Sequence, residues 1–268
     1  MSHPRISVFA SSASGNAKAV RVIEGKGTLQ ARTSHEIAVD SLHDELAVPN
    51  PFAEALLFFR GGANGEEAPV RVIQGPKTML SYPDNVTLDP VHREAVTAQF
   101  RQDAVFVYRS DVGGDAAPIR VIHGPKTKLD RPIRVSVDPV NNLLAVATAT
   151  GLWIFDRTAK GDVPPKWIIE GPKTGLGLEN DTRRPLLYPE GKKIIAGGGF
   201  RVGGKLKTFI GVWKYGDSGD MPPWAVLNAT PTTKMIHGHS MAIIPEDKEL
   251  ITVSGGNLLI YRLPEIFQ

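Results

Sequence analysis

The sequence predicts an all-β propeller. Three observations carry that reading: a repeat with a period close to 50 residues, four short strand-like runs in each period, and glycine and proline spread as turn punctuation. The repeat is plainest in Glu67–Thr78 and Asp115–Thr127, returns in Asp162–Thr174, and loosens in Ala19–Thr28 and Asp220–Asn228. Five glycines, Gly15, Gly65, Gly114, Gly161 and Gly219, mark it at spacings of 50, 49, 47 and 58 residues. The longest spacing contains a glycine-rich insertion, Gly197 to Lys207, which reads as flexible.

Each period resolves into four strands. In residues 134–171, Val135-Ser-Val-Asp138 alternates as a first strand, and Pro139-Val-Asn-Asn142 supplies turn residues. Leu143–Thr148 is a second strand, and Leu152–Phe155 is a third, rich in bulky and β-branched side chains. Gly161-Asp162 makes a hairpin-type turn into the fourth, Lys166–Ile169. The corresponding first strands are Ile37–Asp40, Val86–Asp89, Pro185–Tyr188 and Met241–Ile244. Residues 52–59 are good helix formers, yet they align without a gap to Ile6–Phe9 and Val105–Tyr108, and the repeat outweighs local propensity.

The tally is five first, five second, six third and five fourth strands. It predicts five blades of four antiparallel strands in one domain over 1–268, at 34–75, 84–124, 133–171, 183–229 and 239–263. The N-terminal strand Val20–Ile23 is expected to close the C-terminal blade, which removes an exposed sheet edge. The surplus third strand leaves a six-bladed or truncated six-bladed ring as the alternative. A monomer is expected from a closed ring and a dimer from an incomplete one.

Composition excludes several classes. Hydrophobic residues make up 41% and charged residues 22%, as in ordinary globular domains. Glycine (27) and proline (21) together reach about 18% of the chain, against a background of roughly 12%. No run approaches the ~18 apolar residues of a membrane span, and the first residues are no secretory signal; a cytoplasmic location without membrane contact is expected. With no cysteine, disulfides, thiolate zinc sites and cysteine nucleophiles are excluded. A net charge of +3 is too small to argue nucleic-acid binding.

The repeats resemble those of the NHL, YVTN and TolB-like group of β-propellers, through the element Ala-Pro-x-Arg-x-Ile-x-Gly-Pro-x-Thr, which is similar to repeats in bacterial propeller proteins. The resemblance implies the same blade architecture over essentially the whole chain. The wider group includes lactonases and a streptogramin lyase beside many scaffolds and binding modules, so it implies a choice of activities rather than one.

In such a fold the loop entering each first strand and the end of each second strand lie on one face, around a central channel. Entering residues are Glu36, Asn85, Arg134, Arg184 and Ser240; leaving residues are Asn50, Gln99, Thr148, Gly198 and Ser254. His35, Asp84, Arg183 and His239 stand one residue outside. A polar mouth among apolar blades is the default place for a ligand, although a water-filled channel needs polar lining in any case. These residues differ between blades that otherwise repeat, as an asymmetric site requires.

Propeller lactonases, by the resemblance, hold a divalent cation such as calcium on a carboxylate and amide oxygens. Glu36, Asn85, Asn50 and Asp84 supply hard oxygens of that kind. Arg134 and Arg184 belong to the same set, repel a dication and suit a carboxylate or phosphate instead. The expectation is therefore no metal and no cofactor, with ligand-binding residues Arg134, Arg184, Arg183, Asn85, Asn50, Gln99, Asp84 and His239.

Glu36 beside His35 is the one pair resembling general acid/base equipment. His43 and His92 occupy the turn position where Asn141 stands, and His237-Gly-His239 reads as loop. Gly-Pro-Lys-Thr at 75, 124 and 171 lacks the glycine spacing of a phosphate loop and reads as repeat grammar. Residues 183–214 carry eight basic residues against one acid, a net +7, leaving −4 for the rest. That segment is either a solvated basic loop or an attractor for an anionic ligand or partner. Nucleic acid is disfavoured, because Phe200 and Phe209 are the only candidates there for base stacking. The expected function is a non-enzymatic binding module for a small anionic ligand or a protein partner. The alternative is a lactonase-like hydrolase or lyase using Glu36 and His35.

Overall fold

A computed structural model describes residues 4–32, 34–177, 184–228, 240–254 and 256–268. The short strands β1 (Arg5–Val8) and β2 (Arg21–Glu24) pair antiparallel in a two-stranded sheet. A four-stranded sheet follows: β3 (Ala38–Asp40), β4 (Glu45–Asn50), β5 (Ala55–Arg60) and β6 (Arg71–Gln74). The second comprises β7 (Thr87–Asp89), β8 (Glu94–Gln99), β9 (Ala104–Arg109) and β10 (Arg120–His123). The third comprises β11 (Arg134–Asp138), β12 (Leu143–Ala147), β13 (Gly151–Asp156) and β14 (Trp167–Glu170). The fourth comprises β15 (Leu186–Tyr188), β16 (Lys193–Val202), β17 (Lys205–Lys214) and β18 (Ala225–Asn228). The fifth has three strands among the described residues, β19 (Met241–Ile244), β20 (Glu249–Ser254) and β21 (Asn257–Arg262). The fold is a five-bladed β-propeller. The helix-forming stretch 52–59 is indeed a turn running into β5.

The chain divides into two compact units, residues 1–101 with 106–120, and 102–105 with 121–268. In the first unit β3 packs beside β7, and Ile23, Leu46, Val48, Leu57 and Phe59 form an apolar core. In the second, β11, β15 and β19 succeed one another. Leu143, Ile154, Ile194 and Trp213 fill the layer between the third and fourth blades, and Tyr188, Ile195, Leu250 and Phe267 fill the next.

The repeat residues make the joints. Each period-marking glycine has positive φ, and four of them form a parallel bridge to the fourth strand of the preceding repeat: Ile23 to Gly65, Ile73 to Gly114, Ile122 to Gly161 and Ile169 to Gly219. Gly-Pro-Lys-Thr is a turn whose Thr78, Thr127 or Thr174 hydroxyl donates to the glycine carbonyl at 2.6 Å. Its lysine N–H donates to an aspartate of the next repeat: Lys77 to Asp115, Lys126 to Asp162 and Lys173 to Asp220, at 2.6–2.7 Å. A Cβ on Gly124, at φ 125°, would stand 2.6 Å from Asp162 Cγ, so glycine is demanded twice over.

One position shows how blades diverge. Glu45 and Glu94 begin their second strands and hold Arg71 and Arg120 bidentately at 2.6–2.7 Å. The third blade has Leu143 and Trp167 at the same register, packed with Ile154. The fourth has Lys193, whose Nζ donates to Ile266 O at 2.7 Å and Gln268 O at 3.0 Å. Burial, and secondarily Lys214, lower the Lys193 pKa.

The insertion at 197–207 is ordered, contrary to its flexible reading. It extends β16 and β17 into a hairpin of two ten-residue strands, paired out to Val202 and Lys205. Gly203 and Gly204, at φ 57° and 76°, form the two-residue turn that such hairpins require.

Candidate functional site

In the first unit the candidate amides are engaged largely by backbone groups. Asn85 is fully buried; its Nδ2 donates to Ala98 O at 2.9 Å and its Oδ1 accepts Ala98 N–H at 2.8 Å. Asn50 donates to Leu29 O at 2.7 Å and accepts Ala53 N–H at 3.1 Å. Gln99 accepts Ser81 N–H and donates to Thr97 Oγ1, both at 3.1 Å. These three amides knit strands and turns.

The carboxylates sit beside them. Buried Glu36, just before β3, accepts Val86 N–H through Oε2 at 3.3 Å. His35 Nδ1 lies 3.5 Å from Asp84 Oδ2, and Asp84 also accepts from Asn85 Nδ2 at 3.1 Å. The Asn50 and Asn85 oxygens that a calcium site of the lactonase kind would draw on each already accept one backbone N–H, from Ala53 and Ala98. Among the described residues no three His, Cys, Asp or Glu side chains converge as metal ligands.

His43 and His92 are turn residues. Their Nδ1 atoms lie 2.8 Å from Asp40 and Asp89, and Asn141 Nδ2 donates to Asp138 at the same distance. Tyr215 also donates to Asp138, at 2.7 Å; burial first, and then this hydrogen bond, raise the phenol pKa.

In the second unit, Arg134 opens β11, and its Nη1 donates to Ile133 O at 2.8 Å. Arg184 stands two residues before β15, whose Leu186 pairs with Ile195 of β16. Because β11 and β15 are neighbours, both arginines lie at the same end of adjacent strands. From that end β16 continues into the hairpin carrying Arg201, Lys205 and Lys207. Arg183, His237 and His239 lie outside the described residues.

The hairpin's root was only partly legible. Phe200 and Phe209 stack at 5.3 Å with ring planes 18° apart. A Cβ on Gly175 or Gly198 would stand 2.7 Å from the Phe209 ring, so two glycines make the floor for this pair. Gly199 N–H donates to Gly175 O at 2.9 Å.

No family model matches the chain, and no curated protein sequence matches it. Solved structures do. The hydrazine synthase of Kuenenia stuttgartiensis superposes with a TM-score of 0.55 and 12% identity, over 83% of this chain and 56% of that one. This chain thus spans little more than half of that protein. A Bacteroides uniformis protein described as a "putative 6-phosphogluconolactonase" gives a TM-score of 0.57 and 15% identity, over 93% of this chain and 71% of that one. At such identity the likeness is one of fold: a propeller similar to those found in enzymes.

Proposed function

We propose that this propeller is a non-enzymatic binding module that takes a small anionic ligand through Arg134 and Arg184. The observation that carries the reading is their placement at one end of neighbouring strands β11 and β15, where the basic hairpin also leaves the sheet. A guanidinium has five donors, so it holds a backbone carbonyl and a bidentate oxyanion together. The amides of Asn50, Asn85 and Gln99 are engaged at both ends by neighbouring strands and turns, and they support the walls rather than the ligand. Calorimetric titration with phosphate, citrate and 6-phosphogluconate tests the reading. Saturable binding to one of them, weakened at least 10-fold by Arg134→Ala/Arg184→Ala, is expected; no heat with any of the three refutes it.

A second reading is favoured by one specific likeness, that to the Bacteroides uniformis structure. A lactonase-like hydrolase would use His35, oriented by Asp84, as its base, with Glu36 alongside. A lactone and lyase screen with calcium and with EDTA separates the two. Turnover abolished by His35→Ala or Glu36→Ala, in a variant that keeps its fold, would replace the first reading.

A further inference from the structure

We propose that the projecting end of the β16–β17 hairpin docks an acidic segment of a partner protein, one that also carries apolar side chains. The proposal goes beyond the anion reading and requires neither Arg134 nor Arg184. Cross-strand register sets the pattern: Phe200 faces Lys207 and Val202 faces Lys205, which puts all four on one side of the hairpin. Phe200 is 40% exposed, Val202 is 52% exposed, and both lysines are exposed. Arg201 adds a third exposed cation, and residues 197–207 contain no acid. Among the described residues, Lys205 and Lys207 enter no ion pair.

Two features argue against a merely solvated loop. The hairpin is paired to its tip, and its root is fixed by the Phe200–Phe209 stack over Gly175 and Gly198. A rigid arm is pre-organised, so docking sacrifices little conformational freedom. The side-by-side apolar and cationic columns then select the partner. An acidic strand or loop complements the lysines, and its apolar residues cover Phe200 and Val202. A second copy docked tip to tip would bring like charge together. A bilayer would gain only two partly exposed apolar side chains, too little for stable anchoring without a further signal. A single strand of nucleic acid wants a row of open aromatic faces, whereas one face of Phe200 is taken by Phe209.

The test is fluorescence anisotropy of the full chain with a labelled heptapeptide alternating glutamate with phenylalanine and valine. Saturable binding is expected, weakened at least 10-fold by Lys205→Glu/Lys207→Glu and about 3-fold by Val202→Ser, and unchanged within 2-fold by Arg134→Ala/Arg184→Ala. That last variant separates failure of this proposal from failure of the anion reading. If the charge reversal disturbs the circular dichroism spectrum, Lys205→Gln/Lys207→Gln replaces it. Absence of peptide binding overturns the proposal. So does equal binding of a peptide alternating glutamate with serine, or preferential binding to phosphatidylserine vesicles or oligo(dT).

Discussion

Replacing the Glu45–Arg71 pair by the residues the third blade uses at the same register should leave stability nearly unchanged, whereas breaking the pair should not. The Arg71 and Glu45 side chains are 21% and 13% exposed and meet at 2.6–2.7 Å through two hydrogen bonds. Removing one partner of a buried pair costs about 3–5 kcal/mol because the other charge is stranded. Residual exposure lets water reach the orphaned guanidinium, so Glu45→Leu alone should cost about 2–3 kcal/mol. For a chain of this size that lowers Tm by roughly 5–10 °C. Glu45→Leu/Arg71→Trp removes both charges and recreates the Leu143–Trp167 packing. It forfeits the Arg71 Nε bond to Ser110 O at 3.1 Å and the stacking of Arg71 5.1 Å over Phe58, about 1 kcal/mol each. Burying a leucine and a tryptophan returns about 1.5–3 kcal/mol for the leucine alone. The double variant should therefore lie within about 1 kcal/mol of the parent. Urea unfolding of the parent, both single variants and the double variant completes the cycle. Additive losses, with the double variant the least stable of the four, would refute the idea that blades exchange ionic and apolar solutions at this position.

Other outcomes follow from the joints and the charged groups. Gly124→Ala combines a φ of 125° with a Cβ overlapping Asp162, and should cost about 2–3 kcal/mol in urea unfolding; a cost below 0.5 kcal/mol would show the turn can shift. The carboxyls of Glu67, Asp111 and Asp156 are held below their ordinary range, chiefly by hydrogen bonds from Arg60, Arg109 and Thr158 respectively, with Asp111 down to about 2. Their contribution is complete above about pH 4.5 and is lost as pH falls towards 2, so Asp111→Asn should flatten the decline of Tm between pH 4 and 2. The raised pKa of Tyr215 has the opposite sense: its contribution is present below pH 10 and is lost as pH rises above that. Tyr215→Phe should remove part of the alkaline loss, and should cost about 1–3 kcal/mol at neutral pH by withdrawing the donor from Asp138.

The parts of the fold that could be read from sequence are those where backbone geometry dictates the residue. Gly65, Gly114, Gly161 and Gly219 recur where φ is positive, a conformation that favours glycine, beside a bridge to the neighbouring repeat. Five first, five second, six third and five fourth strands could be counted for the same reason, and that is the tally of the 21 strands among the described residues. The hairpin was misread because its many glycines suggested slack, although Gly203-Gly204 between Phe200-Arg201-Val202 and Lys205-Leu206-Lys207 is a two-residue hairpin signal. The site was harder, since blade-to-blade variation marks function and local repair alike. Asn85 varies from its counterparts, yet both ends of its amide are spent on Ala98. Variation therefore points to a ligand only where the side chain keeps bonding capacity after the backbone has been served. Asn50 and Gln99 are engaged at both ends in the same way, so any such site must draw on larger side chains of the kind that Arg134 and Arg184 supply. An arginine at the head of a strand can brace its own loop and still present a second pair of donors to an anion, which no asparagine there can do.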